Sequence, residues 1–144
     1  MTCFAQKITA TSQVEYEQVI TQEWHIALCK NRIIPLFDAL SISQLHRAEI
    51  LTIISELGYN LFFHAHLGGR IIISRYCKFN CQGIIIESID SGPGIQSMEL
   101  CLQDGYSTNG GLGGGLPGIK RLSDEFEISQ LQQGTWVRCL KWFN

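Results

Sequence analysis

The apolar and polar residues of this chain change their spacing several times, and each spacing predicts a different element. Residues Met1 to Gln13 show no period and are interpreted as a tail, and the alternation over Val14 to Thr21 predicts a first strand. From Glu23 onward, apolar residues recur at helical spacing, which predicts a helix as far as Leu40. Proline lacks a backbone N–H, so we expect Pro35 to kink or break this helix.

A second helix is predicted to run to about His66, with Ser41 or Ser43 as its N-terminal cap. Its broad apolar stripe predicts a central, buried helix. The stripe comprises Leu45, Ala48, Ile50, Leu51, Ile54, Leu57, Leu61 and Phe62. Glu56 and Asn60 share one face of this helix, about 6 Å apart along its axis. A carboxylate and an amide placed in this way could hold a hydrated cation, although a pair taken alone is more often a solvated helix face.

The residue pattern in the second half of the chain predicts four strands and two short helices. Gly68 and Gly69 end the second helix, and the apolar runs GRIIISRY and GIIIESID then form a hairpin around the turn Cys77 to Gln82. The remaining elements are helices over Met98 to Gln103 and Gly115 to Asp124, and strands over Phe126 to Leu131 and Thr135 to Trp142. This order predicts an α+β fold, a two-layer α/β sandwich in which helices cover one face of a mixed, mostly antiparallel sheet.

Two glycine-containing segments carry the candidate chemistry. Asp104 to Gly118 holds seven of the 14 glycines and leads into the predicted helix at Gly115. Backbone N–H groups in such a segment can turn toward an anion, and the start of a helix adds the positive end of its dipole. A surface loop is the alternative for this segment taken alone. The other segment, DSGPG, begins at Asp90 and forms a turn that lets backbone approach a ligand closely.

Composition excludes several classes of protein. With 144 residues, of which 45% are hydrophobic and 17% charged, the chain can bury a core, and we expect one domain over residues 14–144. A net charge of −2 without a basic run argues against a nucleic-acid partner. The low charged fraction leaves apolar surface that a partner protein could use, although sheet burial accounts for it equally well. No apolar run approaches the roughly 20 residues of a membrane span.

The six cysteines do not predict a disulfide framework, because the N-terminus lacks a secretory signal pattern. We therefore expect free thiols and a cytoplasmic protein. The spacing of Cys77 and Cys81 is too loose for a CxxC pair, so no structural metal site is predicted.

Four segments occur in an order that is specific as a set. SELGYN lies on a helix, DSGPGI follows a strand, TNGGLGGGLPG precedes a helix, and QGTWVRCLKW closes the chain. Over about residues 16–142 this series resembles the Bergerat-fold (GHKL) ATPases and kinases, which include gyrase, histidine kinases, MutL and the large heat-shock chaperones. It is most similar to the RsbT-type serine/threonine switch-protein kinases.

The resemblance implies a role for each matching residue. Glu56 is expected to take the proton from the attacking hydroxyl, and Asn60 to bind the Mg²⁺ that bridges the ATP phosphates. Asp90 is expected to accept a hydrogen bond from the adenine amino group, with Thr135 supporting that contact. Gly92 and Gly94 leave room for the base and sugar. A lid is expected to close over the phosphates and consists of Gly110, Gly111, Leu112, Gly113, Gly114 and Gly115, with Lys120 or Arg121 as additional positive charges.

The chain departs from the family pattern between Glu56 and Asn60. The switch kinases usually have a small residue and then an arginine before the asparagine, whereas this chain has Gly58 and Tyr59. Glycine weakens a helix by about 1 kcal/mol relative to alanine. Tyr59 removes a charge that could meet a phosphate or a partner protein.

The resemblance implies a protein serine/threonine kinase that phosphorylates a STAS-domain antagonist and then binds a second partner, a phosphatase or a sigma factor. A regulatory module that binds ATP without transferring phosphate is the alternative. The ATPase domain of a histidine kinase or topoisomerase is disfavoured, because only 55 residues precede Glu56.

Overall fold

A computed structural model describes residues 10–65, 67–90, 115–131 and 134–144. Within these ranges the chain forms five strands and three helices. In chain order they are β1 (Ala10–Ile20), α1 (Trp24–Ala39), α2 (Gln44–His64), β2 (Gly69–Lys78), β3 (Cys81–Asp90), α3 (Gly115–Leu122), β4 (Glu125–Gln130) and β5 (Thr135–Trp142). The predicted α+β class is confirmed, and the predicted helix over residues 98–103 lies outside the described ranges.

The five strands form one sheet in the order β1-β2-β3-β5-β4. All four pairings among the described strands are antiparallel, so the described sheet is not mixed. Ile73, Ile86 and Cys139 are neighbours across β2, β3 and β5, and all are fully buried. The helices pack over this face of the sheet, as predicted, and their apolar side chains join the same core.

β1 is longer than its alternation predicts. It begins at Ala10, four residues before the predicted start at Val14, and pairs with β2 from the Ala10–Lys78 pair to the Ile20–Gly69 pair. Residues 10–14 are exposed, so no alternation of buried and exposed side chains marks them as a strand. Pairing with β2 supplies the backbone hydrogen bonds that keep them extended.

Pro35 does not break α1, and the predicted interruption is wrong in this respect. The helix spans Trp24–Ala39 and buries Ile26, Cys29, Ile33 and Phe37. Pro35 and Asn31, whose carbonyl would accept the missing hydrogen bond, are both exposed. Burial of one apolar side of the helix, before and after Pro35, stabilises the continuous form.

α2 is the central buried helix, as predicted, and Ser43 is its cap. The Ser43 hydroxyl accepts a hydrogen bond from the His46 N–H at 3.3 Å. The helix ends at His64, two residues before the predicted end. Leu45 does not belong to the buried stripe, since 69% of it is exposed. None of the described helices is both long and apolar enough to cross a membrane.

α1 and α2 approach closely at Gly58. A Cβ atom at this position would lie 2.8 Å from Cγ1 of Ile26, a residue that is only 2% exposed. Contacts this short are not tolerated between carbon atoms, so a side chain here would have to move Ile26. The glycine that departs from the family pattern is therefore the residue that lets the two helices pack together.

Candidate active site

The predicted general base Glu56 and the predicted Mg²⁺ ligand Asn60 lie on the half of α2 nearer its C-terminus. Glu56 is 4% exposed, which is unusual for a carboxylate, and Asn60 is half-buried one turn further along. A separation of four residues places both side chains on one side of the helix. The structure thus confirms the helix on which Glu56 and Asn60 were predicted to lie. It also shows that Glu56 is buried in the protein.

Asp90 and Thr135 lie at the same end of two neighbouring strands. Asp90 is the last residue of β3 and Thr135 the first residue of β5, one step beyond the Ile89–Trp136 pair. The two side chains are 2% and 1% exposed, respectively. Their positions follow the alternation of Ile86 and Cys139, so both face the helices. The Thr135 hydroxyl lies 3.4 Å from Oε1 of Gln130.

Gly69 lies where α2 approaches this end of the sheet. A Cβ on Gly69 would lie 2.2 Å from the carbonyl oxygen of Ile89, 3.1 Å from Cα of Asp90 and 2.8 Å from Cδ2 of Leu61. Leu61 directly follows Asn60 on α2. The absence of a side chain at position 69 therefore lets α2 pack against the strand end that carries Asp90. Sequence analysis placed Gly69 at the end of the second helix and at the start of the strand GRIIISRY but assigned it no packing role, although the Gly68-Gly69 pair was a visible signal.

α3 borders the same region, because it packs against α2 and β5. It begins at Gly115, whose φ of 69° lies in the left-handed region, and it buries the four residues from Leu116 to Ile119. Lys120 and Arg121 lie on its last turn and are exposed. The predicted positions Gly92, Gly94, Gly110, Gly111, Leu112, Gly113 and Gly114 lie outside the described residues.

Tyr59, the second departure from the family pattern, is half-buried against the core. Its ring stacks on that of Phe63, with the centroids 5.9 Å apart. The residue that replaces an arginine is therefore part of an aromatic contact on α2. Sequence analysis did not single out Phe63, although its position four residues after Tyr59 is a helical spacing.

The predicted donor atoms at this site are oxygens, which favour a hard cation. Carboxylate and amide oxygens on α2 suit a cation such as Mg²⁺, and a buried carboxylate beside a hydroxyl at the strand ends suits a base with N–H donors. The two buried thiols, Cys29 and Cys139, are poor metal ligands, because a thiol binds a metal as the thiolate. Burial raises the pKa of Cys29 and of Cys139 to about 12, so both remain protonated at neutral pH.

An antiparallel sheet covered on one face by helices, together with the ordered segments around Glu56, Asp90 and Thr135, defines the Bergerat-fold class of ATP-binding proteins. No family profile matches the chain. Over 124 residues it is 37% identical to the serine/threonine-protein kinase RsbT of Bacillus subtilis (strain 168), an alignment that covers 85% of this chain and 92% of the relative. The chain therefore belongs to the RsbT-type serine/threonine-protein kinases, which act in partner-switching signalling.

Proposed function

We propose that this kinase transfers the γ-phosphoryl group of ATP to a STAS-domain regulator in the cytoplasm and then binds a second partner, a phosphatase or a sigma factor. The observation that carries the proposal is the burial of Glu56 on α2, one turn from Asn60. The same helix approaches the strand end that carries Asp90 through Leu61. The 37% identity to a serine/threonine-protein kinase over most of the chain supports the same reaction class.

The nucleotide site is assigned to two groups of residues. Asp90 and Thr135 recognise adenine, because a buried carboxylate accepts a hydrogen bond from the exocyclic amino group and a hydroxyl can support that contact. Asn60 contributes an amide oxygen to Mg²⁺, which when bound offsets negative charge on the phosphates. The glycines from Gly110 to Gly115 supply backbone N–H donors to the phosphates in this proposal, although only Gly115 lies within the described residues.

Glu56 acts as the general base in this proposal. A Ser or Thr hydroxyl of the protein substrate donates its proton to the Glu56 carboxylate as the hydroxyl oxygen attacks the γ-phosphorus. The bond from the γ-phosphorus to the β,γ-bridging oxygen breaks in the same step, and ADP leaves. The helix holds the carboxylate in place, because α2 is packed on α1, α3 and the sheet. Burial of Glu56 limits the access of water, which would otherwise compete with the substrate hydroxyl.

The test is transfer of labelled phosphate from ATP to purified STAS-domain regulators of the organism that carries this chain. We expect the wild-type protein to label one of them, and Glu56→Gln to slow labelling by about 10²–10⁴, the usual contribution of a general base. Glu127→Gln is the matched control, since Glu127 is 60% exposed on β4. Binding of ATP and of a regulator without any labelling would instead identify a non-catalytic regulatory module.

A further inference from the structure

Three aromatic residues form one cluster on α2. Phe63 stacks on Tyr59 with the ring planes 18° apart, and its ring meets that of Phe62 edge-on at a centroid distance of 4.9 Å. We call Tyr59, Phe62 and Phe63 the aromatic cluster. Tyr59 and Phe62 pack against the core, whereas 47% of Phe63 is exposed. Phe63 is thus an exposed apolar side chain that the rings of Tyr59 and Phe62 hold in place.

The exposed ring lies on the same side of α2 as Glu56. Phe63 lies seven positions after Glu56, which is nearly two turns. The two side chains therefore point within about 20° of each other and lie about 10 Å apart along the axis. Exposure rises along this side of the helix from 4% at Glu56 to 47% at Phe63, with half-buried Asn60 between them. Phe63 therefore lies where this side of α2 reaches solvent.

The chemistry of this segment is apolar. No charged residue lies between Glu56 and His64, so a partner that contacts the Phe63 ring itself buries apolar area there rather than forming an ion pair. A protein kinase must bring a Ser or Thr hydroxyl of another protein to its general base, so the substrate necessarily covers surface around Glu56. Aromatic side chains, including Phe, are enriched at protein–protein interfaces, so an exposed ring held in place is suited to such a contact.

We propose that Phe63, held by Tyr59, is a docking residue for the protein substrate and selects a partner with an apolar side chain about 10 Å from its acceptor hydroxyl. This inference rests on the proposed role of Glu56 as the general base. In this proposal Phe63 positions the substrate and is not itself a catalytic residue. The predicted occupant is the substrate segment that flanks the phosphorylated Ser or Thr.

The experiment measures the steady-state kinetics of phosphorylation of the STAS-domain regulator that the wild-type kinase labels. Phe63→Ala should raise the KM for the regulator about tenfold, the usual consequence of truncating an aromatic anchor. The kcat and the dissociation constant of ATP should change by less than about twofold, because the lost contact is to the substrate alone. Phe63→Leu should restore most of the wild-type KM.

Leu45→Ala is the matched control. Leu45 is 69% exposed and lies on the same side of α2, five turns before Phe63 and about 27 Å from it. We expect its KM to equal that of the wild type, whereas an equal rise in both variants would show a general effect on the helix and overturn the proposal. An unchanged KM in Phe63→Ala, or an equal loss of ATP affinity, would also overturn it.

Tyr59→Arg tests the chemistry of the partner. It should raise the KM, because a charge replaces the ring that supports Phe63, and a lower KM would mean that the partner presents an acidic rather than an apolar group. Absence of labelling by the wild-type kinase would refute the proposed function and this inference with it. Labelling by the wild type with an unaffected Phe63→Ala variant would refute this inference alone.

Discussion

Lys141 Nζ lies 2.8 Å from Oε2 of Glu49 and joins the end of β5 to the first half of α2. The Lys141 and Glu49 side chains are only 10% and 19% exposed, and Nδ1 of His46 lies 3.0 Å from the other Glu49 oxygen. Burial alone would raise the pKa of Glu49, but hydrogen bonds from Lys141 and His46 and their positive charges outweigh it. The pKa of Glu49 is therefore below its ordinary value of 4.5.

We expect the ion pair to stabilise the fold in a pH-dependent way. A carboxyl group whose pKa is lower in the folded than in the unfolded state contributes stability above the unfolded pKa of 4.5, and this is lost as the pH falls through the folded pKa. Glu49→Gln should lower the free energy of unfolding by about 1–3 kcal/mol at neutral pH. In urea unfolding the difference from wild type should shrink below pH 4.5.

Glu127→Gln is the control for this measurement. Glu127 is 60% exposed and lies 3.8 Å from Arg138, so its ion pair is screened by solvent. Its replacement should change the free energy of unfolding by less than about 1 kcal/mol. A Glu49→Gln effect of the same size at every pH would contradict an ionic origin.

Gly58→Ala should destabilise the protein, although alanine favours helix formation by about 1 kcal/mol. The added Cβ would lie 2.8 Å from Cγ1 of buried Ile26, and overpacking of this kind costs about 1–3 kcal/mol. In an Ile26→Ala background the clash is removed, so the same Gly58→Ala change should become stabilising. Denaturant unfolding of the four proteins of this double-mutant cycle measures the difference. Stabilisation by Gly58→Ala alone would mean that the helices do not constrain position 58.

Asp90 should make the site prefer ATP to GTP. A fixed acceptor matches the amino group of adenine but faces the carbonyl of guanine, and a buried mismatch costs about 1–3 kcal/mol. Asp90→Asn should weaken ATP binding in calorimetry, and Thr135→Val should weaken it more than Thr135→Ser, which keeps the hydroxyl. Equal affinity of the wild-type protein for the two nucleotides would remove Asp90 from the adenine site.

Asn60→Ala should weaken ATP binding only when Mg²⁺ is present. The expected loss is roughly tenfold, the scale of one contact to a charged group. In EDTA the variant and the wild type should bind ATP equally. Asn80→Ala provides the control, because Asn80 is exposed in the turn between β2 and β3. A loss of the same size with and without Mg²⁺ would indicate that Asn60 contacts the nucleotide or supports the fold.

The sequence by itself determined the fold class and the helix that carries Glu56 and Asn60. Both depend on local information, since the 3.6-residue period of α2 and the apolar runs of β2 and β3 are visible without knowledge of their neighbours. The cap Ser43 was one of two local candidates. The roles of individual residues were predicted from the family resemblance that four segments carry together, because a single motif such as DSGPG indicates only a turn.

Tertiary structure alone decided which atoms meet. Residues 10–13 extend β1 beyond its predicted start through pairing with β2, and they show no alternation of buried and exposed side chains because all of them are exposed. Leu45 matches the apolar stripe of α2 but is left exposed, because periodicity predicts a side of a helix and not how far along it other elements pack. The approach of Gly58 to Ile26 and of Gly69 to Leu61 depends on the spacing of packed elements, which residues distant in sequence determine.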